Sequence, residues 1–306
     1  MAFTAKDVQS LRERTGVGMM ECKKALTETD GDMDKAIEVL REKGLAAAAK
    51  KSSRIAAEGV VLAMVDDAAK IGVVIEVNSE TDFVAKNEKF MEFVEACAKT
   101  VAAKKPATVE ELMTLEAVGL GTTVEEALRE KILTIGENMK IRRFIHAEGS
   151  VITYVHGGGR IGVMVTFETD VDGKDGFEAY AKDVAMQVAA VSPIYLDEAS
   201  VPAEVVEKEK EILTAQIAND EKLKNKPAQI IEKMVEGRIS KYYKENCLVE
   251  QAFVKNGDIN IAQYTQETAK ALGGSIKITG FVRYEKGEGL EKREDNFADE
   301  VASMMK

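Results

Sequence analysis

The 306-residue sequence predicts an α+β multidomain fold: an N-terminal three-helix unit, a duplicated core of antiparallel sheet plus helix, an inserted helical hairpin and a short C-terminal helical module. Three observations carry this prediction. Apolar residues recur at helical spacing through the first 45 residues, a strand-like segment repeats 90 residues downstream, and a long charged helical stretch interrupts the second copy.

The elements follow in chain order. Thr4 and Asp7 have the spacing of a capping box, Val8 and Leu11 supply the apolar face of the first helix, and Thr15-Gly16 stops it. Met19, Cys22 and Leu26 repeat in a second helix. Asp32 caps a third, in which Met33, Ala36, Ile37 and Leu40 share a face and which is expected to end at Gly44. So small a unit suits surface presentation better than a catalytic pocket. "LAAAAKKSSRIAAEG" then reads as a basic linker or a loosely packed helix, closing a first region of residues 1–55.

"AEGVVLAMVDDAAKIGVVIEV" from Ala57 aligns without a gap to "AEGSVITYVHGGGRIGVMVTF" from Ala147. At an offset three residues shorter, "FMEFVEACAKTVAA" from Phe90 resembles "FEAYAKDVAMQVAA" from Phe177. Each copy reads strand, polar turn, strand, connecting turn, helix, and the glycines of "HGGGR" suit a turn that needs positive φ. The copies define core subdomains at 56–140 and at 141–199 with 248–284. Residues 200–247 read as a helical hairpin broken at Pro227, either an antiparallel coiled coil or two ordinary surface helices on spacing alone. "GGSIKITGFVRYEKGEG" is one more strand, and "NFADEVASMMK" a short amphipathic helix in the 285–306 module.

Composition excludes several functions. With 45% hydrophobic and 31% charged residues the chain can build ordinary cores, yet its longest apolar runs fall well short of the ~20 residues a membrane span needs. "MAFTAKDVQS" lacks a signal-peptide apolar core, so a cytoplasmic location with no membrane partner is expected. A net charge of −11 argues against general nucleic-acid binding and for a protein partner. Cys22, Cys97 and Cys247 are isolated thiols that make neither a disulfide framework nor a zinc site. The sequence has no GxxxxGK[ST], HExxH or GxSxG, so no resident cofactor or metal is expected. His146 and His156 lack an accompanying nucleophile and orienting acid and read as ordinary turn or hydrogen-bonding residues.

One segment is not explained by folding patterns. "NSETDFVAKN", residues 78–87, puts Phe83 beside Asp82 in a turn, and the corresponding "ETDVDGKDG" of the second copy has no Phe. Composition alone favours burial of a Phe in its own core.

"LRERTGVGMMECKKAL" (11–26) and "EVNSETDFVAK" (76–86) resemble the signature stretches of the elongation factor Ts family, the nucleotide-exchange factors for the GTPase elongation factor Tu. "IGENMKIRRF", "HGGGRIGV", "VVEKE", "EKMVEGR" and "GFVRYEKGEGLEK" extend the resemblance over essentially the whole chain. It implies that the N-terminal unit is ubiquitin-associated-like and that the hairpin is a coiled coil. It also implies that Thr81, Asp82, Phe83 and Val84 enter the GTPase beside its bound Mg²⁺ and loosen GDP; on physical grounds Asp82 competes for the ion's surroundings or caps the helix that presents Phe83, two roles that can coexist. Arg12, Met19, Met20, Ile135, Gly136 and His156 match further partner-binding positions, whereas "AFVK" at 252–255 departs from the family's "PFVM". The implied partner is elongation factor Tu in its GDP form, and the implied activity involves no covalent chemistry. A homodimer or a two-plus-two complex is left open. The rival reading is a passive adaptor, which would not require a Phe in one copy only; a hydrolase lacks any supporting constellation. Val171 of "ETDV" takes the place of Phe83 in "ETDF" and is expected to tolerate truncation to Ala with little effect on exchange.

Overall fold

The computed structural model describes residues 3–220, 223 and 226–291. The helix expected at 296–306 lies outside the described residues. The protein is α+β and divides into two compact units. One comprises the described parts of Met1–Ala147, Val155–Gly162 and Tyr284–Lys306, the other Glu148–Tyr154 and Val163–Arg283.

The first unit begins with α1 (Ala5–Thr15), α2 (Met19–Glu28) and α3 (Met33–Lys51). The Thr4–Asp7 capping box forms, and Gly16 takes a left-handed φ of 67° to close α1. Val8, Leu11, Cys22, Ala25, Leu26, Ala36 and Leu40 make their common core. The expectation that Gly44 ends α3 is not met. The helix continues to Lys51, with Gly44 buried against another helix, where a Cβ would stand at an ordinary contact distance of 3.7 Å from the Arg129 carbonyl oxygen. A helix interior tolerates Gly where close packing compensates its entropic cost.

The first copy of the repeat folds as β1 (Glu58–Asp66), β2 (Ile71–Ser79), the one-turn α4 (Asp82–Ala85) and α5 (Glu88–Lys104), followed by α6 (Val109–Thr114), α7 (Val124–Ile135) and β3 (Met139–Glu148). β1 and β2 pair antiparallel from Glu58↔Ser79 to Asp66↔Ile71, in a sheet of order β1-β2-β3. Every residue of β2 is buried. Its Val73, Ile75 and Val77 join Phe90, Phe93, Val94 and Val101 of α5 and Leu128 and Ile132 of α7 in one core. Gly59 is required here: at φ 112° its backbone approaches β2 so closely that a Cβ would sit 2.2 Å from the Val77 carbonyl oxygen.

The second copy supplies β4 (Ser150–His156), β5 (Ile161–Thr169) and α8 (Phe177–Val191), then α9 (Ala203–Asn219) and α10 (Ala228–Asn246). These last two helices form the hairpin, closed by Leu213, Ile217, Val235 and Ile239, with Pro227 at the N-cap of α10. A small β6 (Ala252–Phe253), β7 (Asn256–Asn260) ribbon leads to α11 (Ile261–Leu272) and β8 (Ile276–Glu285). β8 completes a sheet of order β4-β5-β8.

The buried face of β2 that does not meet α5 carries one charge. Glu76 is fully buried and accepts hydrogen bonds from Arg142 Nη1 (3.0 Å), Arg143 Nε (2.7 Å), Asn78 Nδ2 (3.1 Å) and the Gly287 N–H (2.8 Å). Burial pushes its carboxyl up, but these donors together hold it below its ordinary 4.5.

Candidate functional site

The turn after β2 is built by three anchors that leave Phe83 outside. Val84, 6% exposed, enters the core beside α5, and adjacent residues of a helix point about 100° apart, so Phe83 cannot follow it. Asn87 then caps α5 by accepting from the N–H groups of Lys89 and Phe90, and Phe90 is fully buried. Phe83 is 79% exposed.

The third anchor is polar. Thr81 occupies the N-cap of α4 but makes no side-chain cap there. Its hydroxyl and its N–H instead donate to the two carboxylate oxygens of Glu137, at 2.7 and 3.0 Å. In return, the Glu80 carboxylate accepts from the Asn138 N–H, while Arg54 Nη1 lies 3.4 Å from it. Asn138 Nδ2 donates to the Arg54 carbonyl (2.8 Å), and Lys51 Nζ to the Ile132 carbonyl (3.2 Å) near the end of α7. Partial burial, followed by the neighbouring Arg54 charge, lowers the Lys51 pKa against the opposing pull of Glu80 and Glu137.

Asp82 does not cap the helix that presents Phe83, because Thr81 holds that position. Asp82 is exposed at the first helical residue and pairs with Lys86 Nζ at 2.8 Å, a hydrogen bond that lowers its pKa. A carboxylate in the first turn is favoured by the helix dipole as well.

Glu137 brings Thr81 together with the end of α7, where Ile135 packs half-buried on the same core as Val84, and Gly136 closes the helix at φ 91°. Arg12, Met19 and Met20 lie elsewhere, on the three-helix core. Arg12 is exposed, and Met19 and Met20 are 50% and 65% exposed, so neither Met fills that core. His156 is exposed at the end of β4, before Gly157, Gly158 and Gly159, all at positive φ. Sequence reasoning missed Glu80, Glu137, Asn138, Arg54 and Lys51 as partners of the turn. They stand in or beside the quoted motifs, but no periodicity links residue 80 to residue 137.

The remaining chemistry is quiet. Among the described residues no group of three or more His, Cys, Asp or Glu is placed to hold a metal ion, and no helix is long and apolar enough to cross a membrane. The three thiols are buried, with burial raising Cys97 and moving Cys247 to about 11, which leaves little thiolate at neutral pH.

The arrangement offers a projecting aromatic side chain on an anchored turn. Comparison with known proteins agrees with the sequence motifs. The family described as Elongation factor TS matches residues 80–288. Elongation factor Ts of Clostridium perfringens (strain ATCC 13124) is 55% identical over 305 residues, covering 99% of both chains. Elongation factor Ts of Clostridium botulinum (strain Eklund 17B) is 52% identical over 306 residues with the same coverage, and that of Clostridium novyi (strain NT) is 53% identical over 306 residues, covering 99% of this chain and 98% of its own. With the match running through the Thr81–Val84 turn and the end of α7 alike, the chain belongs to the elongation factor Ts family.

Proposed function

We propose that this chain is a guanine-nucleotide exchange factor of translation elongation. It binds elongation factor Tu carrying GDP, inserts the Thr81–Val84 turn beside the GTPase's Mg²⁺ and promotes GDP release so that GTP can bind. The observation that supports this reading is the 79% exposure of Phe83 on a turn anchored at Thr81, Val84 and Asn87. Moving such a Phe from water into a partner's crevice gains about 1.5–3 kcal/mol, and each ~1.4 kcal/mol is tenfold in an equilibrium. The ion neutralises diphosphate charge, so disturbing its surroundings weakens the hold on GDP. The coupling is reciprocal: the factor by which this chain lowers GDP affinity is the factor by which GDP lowers the chain's affinity. No covalent bond is made or broken.

In this reading Asp82 contributes negative charge near the ion, and Ile135 and Gly136 extend the same contact. His156 contributes from the β4–β5 turn, and Arg12, Met19 and Met20 from a second contact by a ubiquitin-associated-like unit within residues 1–55. Met suits that role because its flexible thioether adapts to a partner surface. The proposed organisation continues with core subdomains at 56–140 and at 141–199 with 248–284, a coiled-coil hairpin at 200–247 and a C-terminal module at 285–306. The proposed setting is the cytoplasm. Stopped-flow release of a fluorescent GDP analogue from purified elongation factor Tu tests the function. The chain should accelerate release in a concentration-dependent, saturable way, and release no faster with the chain than without it would overturn the proposal.

A further inference from the structure

We infer that Glu137 and Glu80 are positioning residues that lock the Phe83-bearing turn to the end of α7 before any partner arrives, an inference that rests on the proposed role of Phe83.

A four-residue helix is too short to hold itself in water, since helix nucleation fixes several residues for its first hydrogen bond. α4 therefore depends on what ties it down. Val84 provides one apolar tie, but a single buried side chain leaves the preceding backbone free to rotate. The polar ties remove that freedom. Glu137 uses one carboxylate oxygen for the Thr81 hydroxyl and the other for the Thr81 N–H, immediately before Asp82 and Phe83. Glu80, one residue earlier, accepts from the Asn138 N–H, one residue after Glu137. The two strands of chain thus exchange carboxylates in opposite directions, which fixes translation and rotation together.

The choice of residue types fits this task. A carboxylate is acceptor-only and can receive two donors at once, whereas an amide in its place presents one accepting oxygen. Charge-assisted bonds of this kind are also stronger than neutral ones. Three further contacts hold the acceptors in place: Arg54 beside Glu80, Asn138 Nδ2 on the Arg54 carbonyl, and Lys51 on the Ile132 carbonyl. Asn138 is itself buried, so its side chain has one well-defined placement. A turn ordered in advance loses less conformational freedom on docking, so the clamp supports both tight binding and fast exchange.

Trp is absent from the sequence, so Phe83→Trp places a single indole fluorophore at the tip. Its steady-state anisotropy is measured in the isolated full-length chain, with Phe83→Trp alone and combined with Glu137→Ala, Glu137→Gln or Thr81→Val. Exchange is measured with the same clamp substitutions in the Phe83 background. Glu137→Ala should lower the anisotropy markedly and reduce catalysed GDP release about tenfold at limiting concentration, while circular dichroism stays that of the folded chain. Glu137→Gln and Thr81→Val, which each remove part of the bidentate pair, should fall between. Unchanged anisotropy together with unchanged exchange in folded Glu137→Ala would overturn the inference, and so would a loss of exchange that tracks unfolding alone across the three variants. The anisotropy measurement involves no partner. If Phe83→Ala leaves exchange intact while the indole still loosens in Glu137→Ala, the functional reading fails and the clamp stands. If the indole stays rigid while Phe83→Ala abolishes exchange, the clamp fails and the functional reading stands.

Discussion

The two copies of the repeat share their strand pattern and differ at the end of the second strand. Counted from the helices, where Phe90 corresponds to Phe177, the partner of Val171 is Val84 rather than Phe83. Both valines are buried, at 0% and 6% exposure, and each fixes the turn into its helix. Phe83 then corresponds to Asp170, which accepts from the Ser275 N–H. One copy uses that position to secure its own fold, the other to project an aromatic side chain into solvent. A second difference lies inside the strand. Glu76 of β2 corresponds to Thr166 of β5, whose hydroxyl makes only neutral bonds, to the Gly280 carbonyl and Thr279. The two copies share a frame within which individual positions differ.

The sharpest way to break this comparison is at Glu76. Glu76→Gln leaves Arg142 and Arg143, both part-exposed and Arg143 still paired with Glu288, beside an uncharged partner, and denaturant unfolding should show a loss of about 3 kcal/mol. The corresponding acid sensitivity has a definite sign. Because the carboxyl is held below its ordinary 4.5 when folded, its contribution is present above that value and is lost as pH falls through the lowered one. The difference in stability between the wild type and Glu76→Gln should therefore shrink on acidification through that range.

Val171 is next in size. Its truncation, expected to matter little for exchange, does matter for stability, because the side chain is fully buried. Val171→Ala should cost on the order of 2 kcal/mol in chemical denaturation, with GDP release unchanged while the protein remains folded. Phe83→Ala should do the opposite, slowing catalysed release at least about tenfold, or ~1.4 kcal/mol, with a melting temperature within a degree or so of the wild type. Equal kinetic damage from the two substitutions in folded protein would remove the functional distinction between the copies. The smallest effect is expected at Thr166→Val, which removes neutral hydrogen bonds and should destabilise by about 1 kcal/mol in the same denaturation assay. A loss as large as that at Glu76 would show that charge is not what separates the two strands.

Local sequence determined much of this protein. The Thr4–Asp7 box, the Asp32 cap, the apolar hairpin strands, the positive-φ glycines at 157–159 and the break at Pro227 all act over a few residues, and all appear in the structure. The lone Phe of the first copy was also visible as a departure from its own repeat. Gly44 misled because its local preference for ending a helix yields to packing against α7. Asp82 misled as a cap because Thr81, one residue earlier, takes the N-cap position. The carboxylate exchange between Glu80–Thr81 and Glu137–Asn138, the burial of Glu76 against two arginines, and the burial of Val171 beside the exposure of Phe83 were decided only by tertiary structure. Local propensity reaches three or four residues along the chain, whereas these interactions join groups far apart in sequence that meet only when a core closes. Their energies therefore exist only once the chain has folded.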